Sequence, residues 1–271
     1  MTPNDKLPFT SHLEELRKRL IICFIAVGIG FVLAYIVKER LFHILVAPLQ
    51  NAMGSQDHLI YTGLPEAFFT FLKVAFLAGI LLASPVVIYQ FWMFVAPGLY
   101  DKEKRLLVPV VLLSTIFFVG GALFGYFIVF PWGFKFFLGF ATDFIRPMPS
   151  MKEYLSFSSK MLLAFGLVFE LPLVLTFLAR LGIVSVDFLK KNRKYAILLF
   201  FTGAAILTPP DVATQVMMAL PLMLLYEVSI LGARIFGKPK SEASEDSAVS
   251  GEPDAEATPQ PDDPAQGKEQ R

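Results

Sequence analysis

Residues 67–96 read AFFTFLKVAFLAGILLASPVVIYQFWMFVA, thirty positions with one charged side chain, Lys73. At about 1.5 Å per residue, a helix of this length crosses the ~30 Å hydrocarbon core of a bilayer. Five further apolar runs lie at 20–37, 106–131, 159–181, 195–207 and 212–231. Within lipid only helices and closed barrels satisfy their backbones, and barrel strands alternate and cross in about ten residues. Runs this continuous exclude the barrel. The expected fold is an all-α integral membrane protein with six transmembrane helices.

Basic residues set the expected orientation. Segment 1–19 holds four, loop 97–105 three and loop 179–194 five, against two in 38–66, three in the longer 132–158 and none in 208–211. Dense and sparse segments alternate, so both termini are expected in the cytoplasm. The first run is preceded by a polar stretch and ends in no small-x-small cleavage site, so it reads as a retained span. The resulting organisation is a cytoplasmic segment at 1–19, a membrane domain at 20–236 and a tail at 237–271. That tail has nine acidic residues and five prolines, and is expected to be disordered and cytoplasmic.

Composition narrows the function. Charged residues make up 17% of the chain and net charge is +1, which offers nothing to nucleic acid. The single cysteine, Cys23, forms no internal disulfide and implies no metal site. No phosphate-binding Gly-rich loop, His-Glu-x-x-His zinc motif or Gly-x-Ser-x-Gly elbow occurs, and His12, His43 and His58 are scattered. No cofactor is implied.

Function is therefore sought where polar groups interrupt or border the spans. Prolines 85, 109, 172 and 221 fall inside them and predict kinks. The run at 195–207 is short, about 20 Å as a helix, unless its ends extend further. Pro48 is expected to stop a short surface helix begun near Leu41. Glu66 follows Pro65 at a helix start, where a carboxylate complements the dipole. Ser150 with Glu153, and Ser11 with Glu14, have capping-box spacing; Ser185 and Asp187 open a small helix. Glu14 with Lys18 and Glu15 with Arg19 are i,i+4 pairs, so the stretch SHLEELRKRL reads either as a self-paired helix entry or as a binding face. Glu103, among Lys102, Lys104 and Arg105, has the same two readings. Glu170, in FGLVFELP, costs about 2.5–3.5 kcal/mol to insert, and is either a contact for a partner helix or proton or a packing hydrogen bond. Glu227 reads as a snorkelling or paired acid.

Taken together, SHLEELRKRL at 11–20, APL at 47–49, SPVVIYQFWMFVAPGLYDKEKR at 84–105, FGYFIVFP at 124–131, YLSF at 154–157, FGLVFELP at 165–172 and LTPPDVATQ at 207–215 resemble the TatC family, the multi-span subunit of the twin-arginine protein translocase. The resemblance covers residues 9–236. It implies a concave, kinked six-helix bundle in the bacterial inner membrane that receives the signal peptides of folded proteins at its cytoplasmic face. It also implies single-span partners, TatA and TatB, in an oligomeric complex driven by the proton-motive force. On the family's motif positions, Glu15 and Glu103 are the acids that meet the two arginines, with Phe94 and Arg17 in the same patch, while Glu170, Pro48 and Asp211 belong to partner contact and translocation. Glu14 beside Glu15 is a local difference that adds an acid. The competing reading is a proton-coupled secondary transporter using Glu170, although no related halves are visible.

Overall fold

The computed structural model describes residues 7–53, 59–61, 63–95, 107–142, 147–207 and 212–236, all within one compact unit, Met1–Lys238. Among them run α1 (Leu7–Ile36), α2 (Lys38–Met53), α3 (Glu66–Val95), α4 (Leu107–Phe124), a π turn (Gly125–Val129), α5 (Phe130–Leu138), α6 (Met151–Phe169), α7 (Leu171–Arg180), α8 (Val186–Lys191), α9 (Arg193–Leu207) and α10 (Val212–Phe236). Glu103, Asp211 and the acidic tail 237–271 lie outside the described residues.

Among the described residues, five stretches are long and apolar enough to cross a membrane: Leu13–Ile36, Glu66–Val95, Val108–Leu138, Met151–Arg180 and Thr214–Phe236. The remaining expected run is α9. It gains only Arg193 and Lys194 over the apolar stretch, so its 15 residues cover about 22 Å. The third stretch outlasts its expected end at 131 because Pro131 does not stop it. The π turn has already moved the ladder out of i→i−4 register, and Pro131 falls in the first turn of α5, where its missing N–H costs nothing. Pro109 lies in the first turn of α4 for the same reason and breaks no ladder.

Pro48 does not end its helix either. It sits buried inside α2, and the carbonyl it leaves without a backbone donor, four residues back at Ile44, accepts the Tyr126 hydroxyl at 2.5 Å. Tyr154 donates to the adjacent Leu45 carbonyl, also at 2.5 Å. Tyr126 belongs to the π turn and Tyr154 to α6, so two tyrosines from different elements grip α2 where proline weakens it. In α3 the same defect at Pro85 is met locally: Ser84 Oγ donates to the Leu81 carbonyl at 2.8 Å.

Small residues let the helices approach. At the α1–α3 crossing, a Cβ on Gly30 would meet the Gly79 carbonyl oxygen at 2.6 Å, and one on Gly79 would meet Phe31 N at 2.6 Å. Gly121 of α4 is equally closed in by the Phe165 backbone, and Gly166 by the Phe118 ring. Close backbone packing replaces the hydrophobic drive that lipid does not supply. One buried cluster gathers Val46, Leu77, Phe130, Phe134, Leu155 and Phe165 from α2, α3, α5 and α6. A second gathers Ala179, Leu189, Phe200, Leu222, Tyr226 and Ile230 from α7–α10. The α1 side chains Phe24, Ile25, Ile29, Val32 and Leu33 stay exposed, as expected of a face turned to lipid.

Two expected caps are absent and one is present. Helix α1 already runs from Leu7, which places Ser11 inside it. Ser150 is the α6 N-cap by position, but its side chain caps no α6 amide; its hydroxyl donates to Glu66. Ser185 does cap α8, accepting from Phe188 N at 3.1 Å. Helix α7 ends at Gly182, whose φ of 77° lets Ile183 N return to the Leu178 carbonyl at 3.0 Å.

The Pro48–Tyr126 arrangement makes a prediction by double-mutant cycle. Tyr126→Phe should cost about 0.5–1.5 kcal/mol in the parent chain, one hydrogen bond's worth. It should cost measurably less in a Pro48→Ala background, where residue 48 regains an N–H for the Ile44 carbonyl. Unfolding in mixed detergent micelles measures both, and strict additivity would contradict the assignment.

Candidate functional site

Polar groups gather in three places. The first is the start of α1. Glu14 and Lys18 pair at 3.0 Å with 66% and 72% of their side chains exposed, a solvent pair of little consequence. One residue on, Glu15 faces α3. Arg19 Nε donates to Glu15 Oε1 at 3.0 Å, and Arg19 Nη2 bonds the same oxygen. Arg19 Nη1 donates to Gln90 Oε1 of α3 at 3.2 Å. Only 18% of the Arg19 side chain and 34% of Glu15 are exposed. Phe94 stands one turn beyond Gln90 and is half-buried, while Arg17 is exposed. The fold thus joins Glu15 to the end of α3 that carries Phe94. Glu103 lies outside the described residues.

The second is Glu170, at the break between α6 and α7. Its N–H donates to the Leu167 carbonyl at 3.2 Å, a tighter turn than the α-helical ladder, at the point where Pro172 offers Val168 no N–H. The break lets its side chain reach α4, where Ser114 Oγ donates to Glu170 Oε2 at 2.8 Å. Ser114 is fully buried and in turn accepts from Trp92 Nε1 of α3 at 2.8 Å. The Trp92 ring meets Phe177 of α7 edge to face at 4.7 Å. One polar thread therefore crosses three spans. Its free end is Glu170 Oε1, enclosed and without a hydrogen-bond partner among the described residues. Phe169, next in sequence, lines an apolar groove of about 890 Å³ with Phe124, Phe200, Pro221 and Leu224. At one edge of that groove Glu227 is paired with Arg193 at 2.7 Å, in line with its reading as a paired acid.

The third is Glu66, buried at the start of α3. Its Oε1 accepts from Ser150 Oγ at 2.9 Å and Lys152 N at 3.0 Å, and its Oε2 from Gly63 N at 3.2 Å. Beside it, Ile60 and Ser150 form an isolated bridge. Sequence reading saw only a dipole complement here. It also missed Ser114 and Gln90, whose partners stand 56 and 71 residues away. The one available signal was a hydroxyl or amide inside an otherwise apolar run.

These features define a polytopic helical membrane protein whose proline-broken spans carry a part-satisfied carboxylate among them and an ionic patch at one end. A family profile described as Sec-independent protein translocase protein (TatC) matches residues 11–221, and the chain belongs to that family. The TatC protein of Desulforapulum autotrophicum is 65% identical over 98% of both chains. That of Escherichia coli K12 is 36% identical, over 87% of this chain and 92% of its own. A solved structure described as the twin arginine translocase receptor TatC superposes with a TM-score of 0.76 at 43% identity, covering 83% of this chain and 99% of that one. The family match gives the secondary-transporter alternative no support.

Ser114→Ala tests the thread. It strands both the Trp92 indole and the second Glu170 oxygen, and should cost about 2–4 kcal/mol, more than one lost hydrogen bond. Adding Trp92→Phe should recover part of that loss in the same unfolding measurement.

Proposed function

We propose that this chain is the receptor subunit of a twin-arginine translocase, binding the leaders of folded proteins for export across the bacterial inner membrane under the proton-motive force. The observation that carries this reading is the Glu15 carboxylate, part-exposed and fixed against the α3 end that bears Phe94. Glu15 and Glu103 form one patch for the two arginines, with Arg17 and Phe94 at its border. Carboxylates suit the task because guanidinium–carboxylate pairs are charge-assisted and can be bidentate.

In this reading the chain has six spans with both termini cytoplasmic. Helix α9 is the short fifth span, and the basic segments at 1–19, 97–105 and 179–194 mark the inner side. The start of α1 then lies at the cytoplasmic face, where leaders arrive, and the acids need no prior desolvation. The solved relative's description as a twin arginine translocase receptor supports the same role. Glu170 offers its unpartnered oxygen to a polar side chain in the span of a TatA- or TatB-type subunit. Pro48 and the tyrosines that hold it, with Asp211, serve translocation on the opposite side. The chain works as one subunit of an oligomeric complex.

Charge tests the receptor patch. Glu15→Gln and Glu103→Gln should each weaken binding of a twin-arginine leader about tenfold, equivalent to about 1.4 kcal/mol. Export of a twin-arginine reporter should stop when both acids are changed to Lys; normal export by that variant overturns the assignment.

Glu170 is tested separately by site-specific cross-linking to a partner span. Glu170→Gln should retain most of the cross-link, and Glu170→Ala should lose about 0.6–2 kcal/mol of docking. Equal docking by parent, Gln and Ala forms would reduce Glu170 to packing.

A further inference from the structure

We infer that Arg19 and Gln90 are positioning residues that make the Glu15 patch select guanidinium over ammonium; this deepens the receptor reading and rests on Glu15 as a leader-binding acid. The geometry is specific. Arg19 spends two donors, Nε and Nη2, on the single oxygen Oε1 of Glu15, and a third, Nη1, on Gln90 of α3. Glu15 Oε2 takes part in no hydrogen bond among the described residues, and a third of the side chain is open to solvent.

Two consequences follow from the chemistry. The carboxylate plane no longer turns freely. Two charge-assisted bonds at one oxygen hold it, and Gln90 ties the holder to α3 one turn before Phe94. Its remaining oxygen presents its lone pairs in a set direction, which rewards a flat, directional donor fork. The second consequence is electrostatic. The Arg19 charge offsets much of the attraction that Glu15 would exert on a bare cation. A Lys ammonium is strongly hydrated and contributes mainly as a point charge, so it gains little from a carboxylate already neutralised on one side. A guanidinium is weakly hydrated and fits the fixed oxygen. Both effects favour arginine. The neighbouring Glu14–Lys18 pair has neither property, being largely exposed and tied to no other helix among the described residues.

The test uses the full-length chain in lipid nanodiscs and two labelled leader peptides, identical except for an Arg–Arg or a Lys–Lys pair. The readout is the ratio of the two affinities, which does not depend on the fraction of protein that is folded. Arg19→Gln and Gln90→Leu should each lower the arginine preference about threefold to tenfold, the range of one hydrogen bond. Arg19→Lys keeps the charge but cannot bond Glu15 twice and Gln90 once, so it should lose preference as well. An unchanged ratio in Arg19→Gln and Gln90→Leu overturns the inference, and so does full retention by Arg19→Lys, which would leave charge as the sole cause. Glu15→Gln separates the two levels. If it binds both leaders as the parent does, Glu15 is not the leader-binding acid and the receptor assignment falls, taking this inference with it. If it loses both leaders while the ratio stays fixed in the Arg19 and Gln90 variants, the receptor assignment stands and the positioning role is refuted.

Discussion

A carbonyl deprived of its N–H by proline, inside a medium without water, has to find another donor. That constraint runs through this chain. Pro48 strands the Ile44 carbonyl, and the Tyr126 hydroxyl takes it from the π turn. Pro85 strands Leu81, and Ser84 takes it one residue before the break. Pro172 strands Val168, and there the Glu170 N–H closes a tighter turn on the Leu167 carbonyl. The remedies differ in reach. Ser84 repairs the helix with its own side chain and leaves α3 running through to Val95. Tyr126 repairs it across elements, so the defect at Pro48 becomes a tertiary contact. At Pro172 the backbone itself reorganises, and the span divides into α6 and α7 with an acid at the joint.

The acids of the fold sort themselves by how their oxygens are used. Glu66 has both engaged by its own chain, with donors from Gly63, Ser150 and Lys152. It staples the start of α3 to the start of α6. Glu15 and Glu170 are each held by one oxygen only. Arg19 occupies Oε1 of Glu15, and Ser114 occupies Oε2 of Glu170; in each the second oxygen has no partner among the described residues. A carboxylate held this way has already met the entropic cost of being ordered, yet keeps a strong acceptor unspent. For Glu15 the open oxygen faces a part-exposed surface, suited to a charged donor from water. For Glu170 it is enclosed, suited to a polar group carried on an apolar segment. The same half-satisfied design thus serves two different solvents.

Much of this was legible in the sequence, and the limits have a physical pattern. Apolar run length found the five long apolar helical stretches, because lipid imposes length and composition on each segment separately. It also found the shortness of α9, and local spacing found the Glu14–Lys18 and Glu15–Arg19 pairs. Proline was over-read. At Pro48 it was taken as a stop, whereas a tyrosine lets the helix continue, and the run drawn to end at 131 continues through a π turn. Capping spacing misled where a competing partner was stronger: Ser150 gives its hydroxyl to Glu66, 84 residues away. The contacts that build the site join α1 to α3, and α3 to α4 and on to Glu170. Each depends on which helix faces which, and no periodicity within one helix carries that information.

Helix α9 shows what the same constraint demands of an element that is too short. Taken as a fifth span, at about 22 Å against a ~30 Å core, it would have to thin the bilayer or find partners for its ends. It borrows from α10. Arg193, its first residue, pairs with Glu227, and its Phe201 carbonyl accepts Gln215 Nε2 at 2.9 Å. Phe200 packs on Tyr226 between these two contacts, ring centroids 5.9 Å apart. Both links run to one neighbour, so α9 is secured by α10 more than by the lipid around it. Between them the two helices line the groove that also takes in Phe169, the residue before Glu170. Through Phe169 that groove reaches the joint where Glu170 keeps one oxygen without a partner among the described residues.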